Sequence, residues 1–100
     1  MPSPVAMTIA GSDPSGGAGL QADLKTFHQH GVYGASVVTL LTVQNTQTVS
    51  AVHPLVPDLV TQQFDAVVSD LSPAATKTGS LGYRNLLQAV ACRLHEATFP

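Results

Sequence analysis

Cysteine is all but missing from this chain: Cys92 is the only one in 100 residues. An intrachain disulfide is therefore impossible, and with no signal peptide evident the reading is a protein of the reducing cytoplasm. Charge is scarce as well. Four Lys and Arg face six Asp and Glu, for a formal charge of −2 at pH 7. That balance gives no electrostatic ground for binding nucleic acid or an anionic membrane. No apolar run is long enough to span a bilayer. The histidines, His28, His30, His53 and His95, have no ligand spacing with Cys92 or the carboxylates, so no protein metal site is expected.

What the chain does have is apolar content, 44% of its residues, enough for a globular core. Its length suits one domain or part of one. Residues 1–4 read as a short ragged terminus, and no repeat or low-complexity linker follows.

The organising stretch lies near the N-terminus. An apolar run over 5–10 breaks into Gly11, Asp13-Pro14, Ser15 and Gly16-Gly17, all turn formers. A helical pattern then begins over 18–30, with Leu20, Leu24 and Phe27 on one face and Gly31 as its stop. Strand, glycine-rich turn and helix in that order place backbone N–H groups where they can hold a polar or anionic ligand. The spacing is neither a Walker A loop nor a dinucleotide fingerprint, and a plain strand-to-helix connection has the same shape.

Residues 36–43 are β-branched and almost wholly apolar, as in a buried parallel strand. An extended segment over 49–56 is bounded by Pro54 and Pro57. A second helix is expected over 57–69, with Asp58 in its first turn and Leu59, Gln63 or Phe64, and Val67 about a turn apart. A short strand over 73–78 and a third helix over 83–96 complete the order, the latter with Leu86, Leu87, Val90 and Leu94 on its apolar side. Strands alternating with helices predict an α/β fold with a parallel sheet and flanking helices. Three main strands are few for such a sheet, which suggests part of a larger domain.

Three polar loops follow strand C-termini: 11–17, 44–48 and 77–82. Ligands of open α/β sheets bind at that end. Gln44 offers a donor and an acceptor side by side, matching the ring nitrogen and exocyclic amine of an aminopyrimidine, or else ties down its own loop. Asp13 has the chemistry to orient a hydroxyl or act as a base, but Asp-Pro is also turn chemistry. Asp23 reads as a solvated or loop-bracing carboxylate. Lys77 is either a point cation for phosphate or a surface lysine. Cys92, among Val90 and Leu94, reads as a core thiol, and Tyr33 as packing ahead of the second strand.

The stretch Thr8-Ile9-Ala10-Gly11-Ser12-Asp13-Pro14-Ser15-Gly16-Gly17-Ala18-Gly19-Leu20-Gln21-Ala22-Asp23-Leu24-Lys25-Thr26-Phe27 resembles the opening of the hydroxymethylpyrimidine/phosphomethylpyrimidine kinases of thiamine biosynthesis. Gly31-Val32-Tyr33-Gly34, Val43-Gln44-Asn45-Thr46 and Lys77-Thr78-Gly79 stand at the spacing of that family. The resemblance implies a ribokinase-like fold. It also implies phosphorylation of 4-amino-5-hydroxymethyl-2-methylpyrimidine and then its monophosphate, with ATP and Mg2+. It assigns the pyrimidine edge to Gln44 and the cavity wall to Gly11, Ala18 and Val43, and Asp13 is expected beside them in the substrate site.

Two departures accompany it. Family members are more than twice as long, and their Gly-Thr-Gly-Cys anion-hole motif and ATP-holding segments have no counterpart here. The catalytic residues are thus expected beyond residue 100. Residues 1–100 then form the N-terminal, substrate-binding part of one domain, inactive alone and belonging to a homodimer in full length. Where the family usually has Met after Lys-Thr-Gly, this chain has Ser80, expected to line the site. The competing readings are a non-catalytic pyrimidine-binding module or truncated paralogue, and a ribokinase-like kinase for another small alcohol.

Overall fold

The structure, a computed structural model, describes residues 3–97. Met1 and Pro2 of the expected ragged terminus lie outside them. Four strands and three helices follow the order β1 (Val5–Ser12), α1 (Gly19–Gln29), β2 (Tyr33–Gln44), β3 (Val49–Pro54), α2 (Pro57–Asp70), β4 (Ala75–Thr78) and α3 (Arg84–Glu96). The strands form one sheet in the order β3-β2-β1-β4.

β1 is an inner strand of the sheet, and its residues are buried on both faces from Ala6 through Gly11, Thr8 being the one polar side chain among them. It pairs in parallel with β2 on one side and β4 on the other. The chain leaves β1 towards β2, then returns across the sheet to β4. The C-terminal end of β1 is thus the point where the strand order reverses, the usual ligand crevice of such sheets.

Met7, Ile9 and Val37 point to one face and meet Val60 and Phe64 of α2 and Leu86 and Val90 of α3 in the main core. Each such side chain removed from water contributes roughly 1.5–3 kcal/mol. The alternate residues of β1 face α1. Small side chains there bring the helix close: a Cβ at Gly34 would sit 2.7 Å from Leu24 and 3.1 Å from Phe27.

The three main strands form the expected parallel sheet, and the extended segment joins its edge as β3, which runs antiparallel to β2. The reason is the connection. Only residues 45–48 separate the strands, and so short a link allows a hairpin but not a parallel crossover. The Asn45 side chain shapes that turn by accepting the N–H groups of Gln47 and Thr48 at 2.9 and 3.1 Å. Beyond the end of β3, Gln63 continues the ladder. Its amide accepts from the Val38 N–H at 3.0 Å and donates to the Val38 carbonyl at 2.9 Å.

Other expectations shift by a residue or a face. β1 continues through Gly11 to Ser12, because the ladder to β2 persists to Leu41 past a bulge. β2 begins at Tyr33, whose side chain is exposed rather than packed. α2 buries Val60 and Phe64 instead of Leu59, and α3 buries Leu86 and Val90 while Leu87 is exposed. Cys92 is exposed, not a core thiol; it lies two residues past Val90, off the 86/90/94 stripe. Gly31 does end α1, at φ +70°, and Asp58 does occupy the first turn of α2.

Candidate substrate site

A cavity of about 370 Å³ opens at the C-terminal ends of β1, β2 and β4, beside the start of α1. Its size is that of a small-molecule site. Gly11, Ser12 and Asp13 line it from the end of β1, and Ala18 and Gly19 from the start of α1. Leu40, Thr42 and Gln44 come from β2, Val49 and Val52 from β3, and Lys77, Gly79 and Ser80 from β4 and the turn after it.

The glycine-rich turn is organised by Asp13. Its carboxylate accepts the Ser15 N–H at 2.9 Å, the Ser15 hydroxyl at 2.6 Å, and the N–H groups of Gly17 at 3.1 Å and Ala18 at 2.8 Å. The Ser15 hydroxyl bond does most to hold the carboxyl below the usual aspartate range. Burial works against it, and the Ser15, Ala18 and Gly17 amides add to it. These donors consume the carboxylate, so Asp13 is turn chemistry here and has no spare lone pair aligned for base work. They also change the expected use of the helix N-terminus. The amides that would cradle an external anion already hold an internal one.

Gln21 completes the turn. Its side chain accepts from the Asp13 N–H at 2.7 Å and donates to the Ser12 hydroxyl at 2.7 Å. Gly19 permits the approach of helix to strand. It sits at φ +62°, and a Cβ there would strike the carbonyl oxygen of Gly11, so only glycine fits both constraints.

Asp23 braces three elements. The Thr8 hydroxyl of β1 donates to it at 2.6 Å, and the Lys77 ammonium of β4 at 2.9 and 3.1 Å. Burial pushes its pKa up, but the Thr8 bond and the Lys77 bond and charge outweigh that and leave it lowered. Asp23 is thus the bracing carboxylate of the sequence reading. Lys77 both pairs with it and lines the cavity.

Six of the sequence-selected residues converge on this cavity: Gly11, Asp13, Ala18, Gln44, Lys77 and Ser80. Val43 does not. It is 54% exposed, because β2 alternates faces and the cavity takes Thr42 and Gln44. Gln44 is half-buried, and its side-chain amide makes no hydrogen bond among the described residues. It does not tie down its loop; Asn45 does that. Ser80 contributes its backbone as well, its carbonyl accepting from the Thr39 hydroxyl at 2.6 Å. Val49 and Val52 were missed, since only the antiparallel pairing of β3 brings them to the wall. Thr8 and Thr42 were missed because their partners are remote in sequence, and Gln21 and the Ser12 hydroxyl because theirs meet only when α1 folds back across the glycine-rich turn. Thr42, for instance, donates to the Ser12 carbonyl at 2.8 Å.

Known proteins are similar to this chain in sequence and in fold. The hydroxymethylpyrimidine/phosphomethylpyrimidine kinase of Escherichia coli (strain K12) is 54% identical over 89 residues, covering 89% of this chain and 34% of that protein. The crystal structure of phosphomethylpyrimidine kinase from Clostridium difficile 630 superposes with a TM-score of 0.93 at 42% identity, over 97% of this chain and 42% of that one. Pyridoxal kinase from Staphylococcus aureus, in complex with AMP-PCP and pyridoxal, superposes at 0.85 with 36% identity, over 97% of this chain and 36% of that one. The chain therefore has the ribokinase-like α/β fold of these kinases and spans about a third of the length of the curated relative. With the family model described as Phosphomethylpyrimidine kinase matching residues 13–100, the chain belongs to the phosphomethylpyrimidine kinase family.

Proposed function

We propose that residues 1–100 are the substrate-binding part of one ribokinase-like kinase domain. The reaction is phosphorylation of 4-amino-5-hydroxymethyl-2-methylpyrimidine and of its monophosphate, with ATP as donor, in thiamine biosynthesis. The observation that carries this reading is the free amide of Gln44 on a cavity whose wall combines small and apolar residues with Ser12, Asp13, Thr42 and Lys77. A primary amide there has a donor and an acceptor for the edge of an aminopyrimidine. Gly11, Ala18 and Gly19 leave room for the flat ring, and Ser80 stands at its margin.

Phosphoryl transfer is mostly positioning and charge stabilisation. This chain's share is positioning of the acceptor. The amides at the start of α1 are taken by Asp13 and are closed to the donor's phosphates, and among the described residues no group of three His, Cys, Asp or Glu could hold a metal ion. ATP and Mg2+ belong, on this reading, with residues outside this chain, as does the anion hole. No described helix is long and apolar enough to cross a membrane. A cytoplasmic homodimer accords with the family reading and the lone cysteine.

The test is calorimetric binding of the aminopyrimidine alcohol to the full-length polypeptide carrying these residues. Gln44→Met keeps similar volume and removes both hydrogen bonds. It is expected to weaken binding by about 1–3 kcal/mol, the scale of a bidentate base-edge contact. Unchanged affinity would remove Gln44 from the site. A second reading, a kinase for another small alcohol, draws on the likeness to a pyridoxal kinase and on Ser80. Tighter binding of pyridoxal than of the aminopyrimidine would favour it.

A further inference from the structure

The charged groups around the cavity decide where a further negative charge could be received. Asp13 and Lys77 are the charged residues of its lining. The start of α1 is closed to an anion: Gly17 and Ala18 already donate to Asp13, and a second anion there would meet the Asp13 charge. That leaves Lys77 as the cation available to the cavity among the described residues.

Lys77 is set in place by its neighbours. It is the register partner of Thr8 across β1 and β4, and Asp23 of α1 reaches both side chains. An ammonium group has three N–H donors. The two Asp23 oxygens take it from one side, at 2.9 and 3.1 Å, and donor capacity remains. The Lys77 side chain is 50% exposed and that of Asp23 only 17%. A pair exposed on the lysine side is held weakly, so the ammonium can lean towards a stronger anion while still touching Asp23. Gly79 keeps the approach clear, since a Cβ there would stand 3.3 Å from the Lys77 nitrogen.

The two acceptors of the proposed reaction differ in what a cation can read. The alcohol is neutral, whereas a phosphate monoester carries close to two negative charges at neutral pH. We propose that Lys77, held on Asp23, is the residue that tells the monophosphate from the free alcohol, by donating to the phosphate group. The proposal rests on the aminopyrimidine reading above.

Its test compares dissociation constants of the alcohol and the monophosphate for the full-length polypeptide and for Lys77→Met and Lys77→Arg. The methionine variant is expected to lower the preference for the monophosphate at least tenfold, and the arginine variant to restore most of it. In the unsubstituted protein, added salt should weaken monophosphate binding more than alcohol binding. That measurement needs no variant to fold. An unmoved preference in the methionine variant, equal loss of both ligands, or equal salt dependence overturns the proposal while leaving the aminopyrimidine reading intact. A wild-type protein that binds neither ligand overturns both.

Discussion

The two faces of the sheet are built on opposite principles. Towards α2 and α3 the sheet presents Met7, Ile9 and Val37, large side chains wholly buried against Val60, Phe64, Leu86 and Val90. Cohesion there comes from volume. Towards α1 the same strands present Ala6, Thr8, Ala10 and Gly34, and the contacts are small surfaces, hydrogen bonds and an ion pair. Cohesion there comes from close approach. One face is weakened by taking atoms away, the other by adding them. The cavity lies where the second kind of packing reaches the strand ends.

The largest expected effect tests the apolar face. Ile9→Ala removes a fully buried side chain at the middle of the core and should destabilise by about 2–5 kcal/mol, the range for such truncations. Urea unfolding measures it. A loss under 1 kcal/mol would mean that this face does not depend on volume.

Next comes the smallest possible addition to the other face. Gly19→Ala places a methyl group at φ +62° against the Gly11 carbonyl. The backbone conformation alone should cost about 1–3 kcal/mol, and displacement of the α1 start should also weaken ligand binding at the cavity. Tolerance of the methyl group, with both melting temperature and binding unchanged, would break the comparison.

The third effect is smaller and separates the faces by pH. Asp13 and Asp23 both have lowered pKa values in the folded chain, and both serve the α1 face. A carboxylate of this kind stabilises fully above its unfolded pKa, about 3.9. The contribution is lost as pH falls through the lower folded value. Stability should therefore decline on acidification below about pH 5. Asp13→Asn, less stable at neutral pH, should show a flatter decline across the same window. Identical slopes for the two proteins would show that the Asp13 bonds are not coupled to folding.

Much of this was legible in one dimension. The strand, glycine-rich turn and helix at the N-terminus follow from an apolar run that meets turn formers and then a helical period. Periodicity carried less at the helix faces. Leu59 and Leu87 sit next to the buried Val60 and Leu86, and a one-residue change in phase is decided by which neighbour the helix meets. Gln44 was legible as a side chain with two-sided hydrogen bonding, but not as one left free, since that depends on Asn45 taking over the turn. Cys92 shows the same limit: its neighbours Val90 and Leu94 belong to the packed stripe of an amphipathic helix, and Cys92 itself falls off that stripe.

Local chemistry along the chain determined the elements, the turn residues and the family, because those depend on neighbours in sequence. Tertiary structure decided the antiparallel β3, the two valines it adds to the cavity, the turning away of Val43 and the capture of the helix amides by Asp13. It also joined Thr8, Asp23 and Lys77, which lie on three separate elements. Each of these outcomes is a contact between groups whose partner can be chosen only once the sheet has brought the strands and helix α1 together.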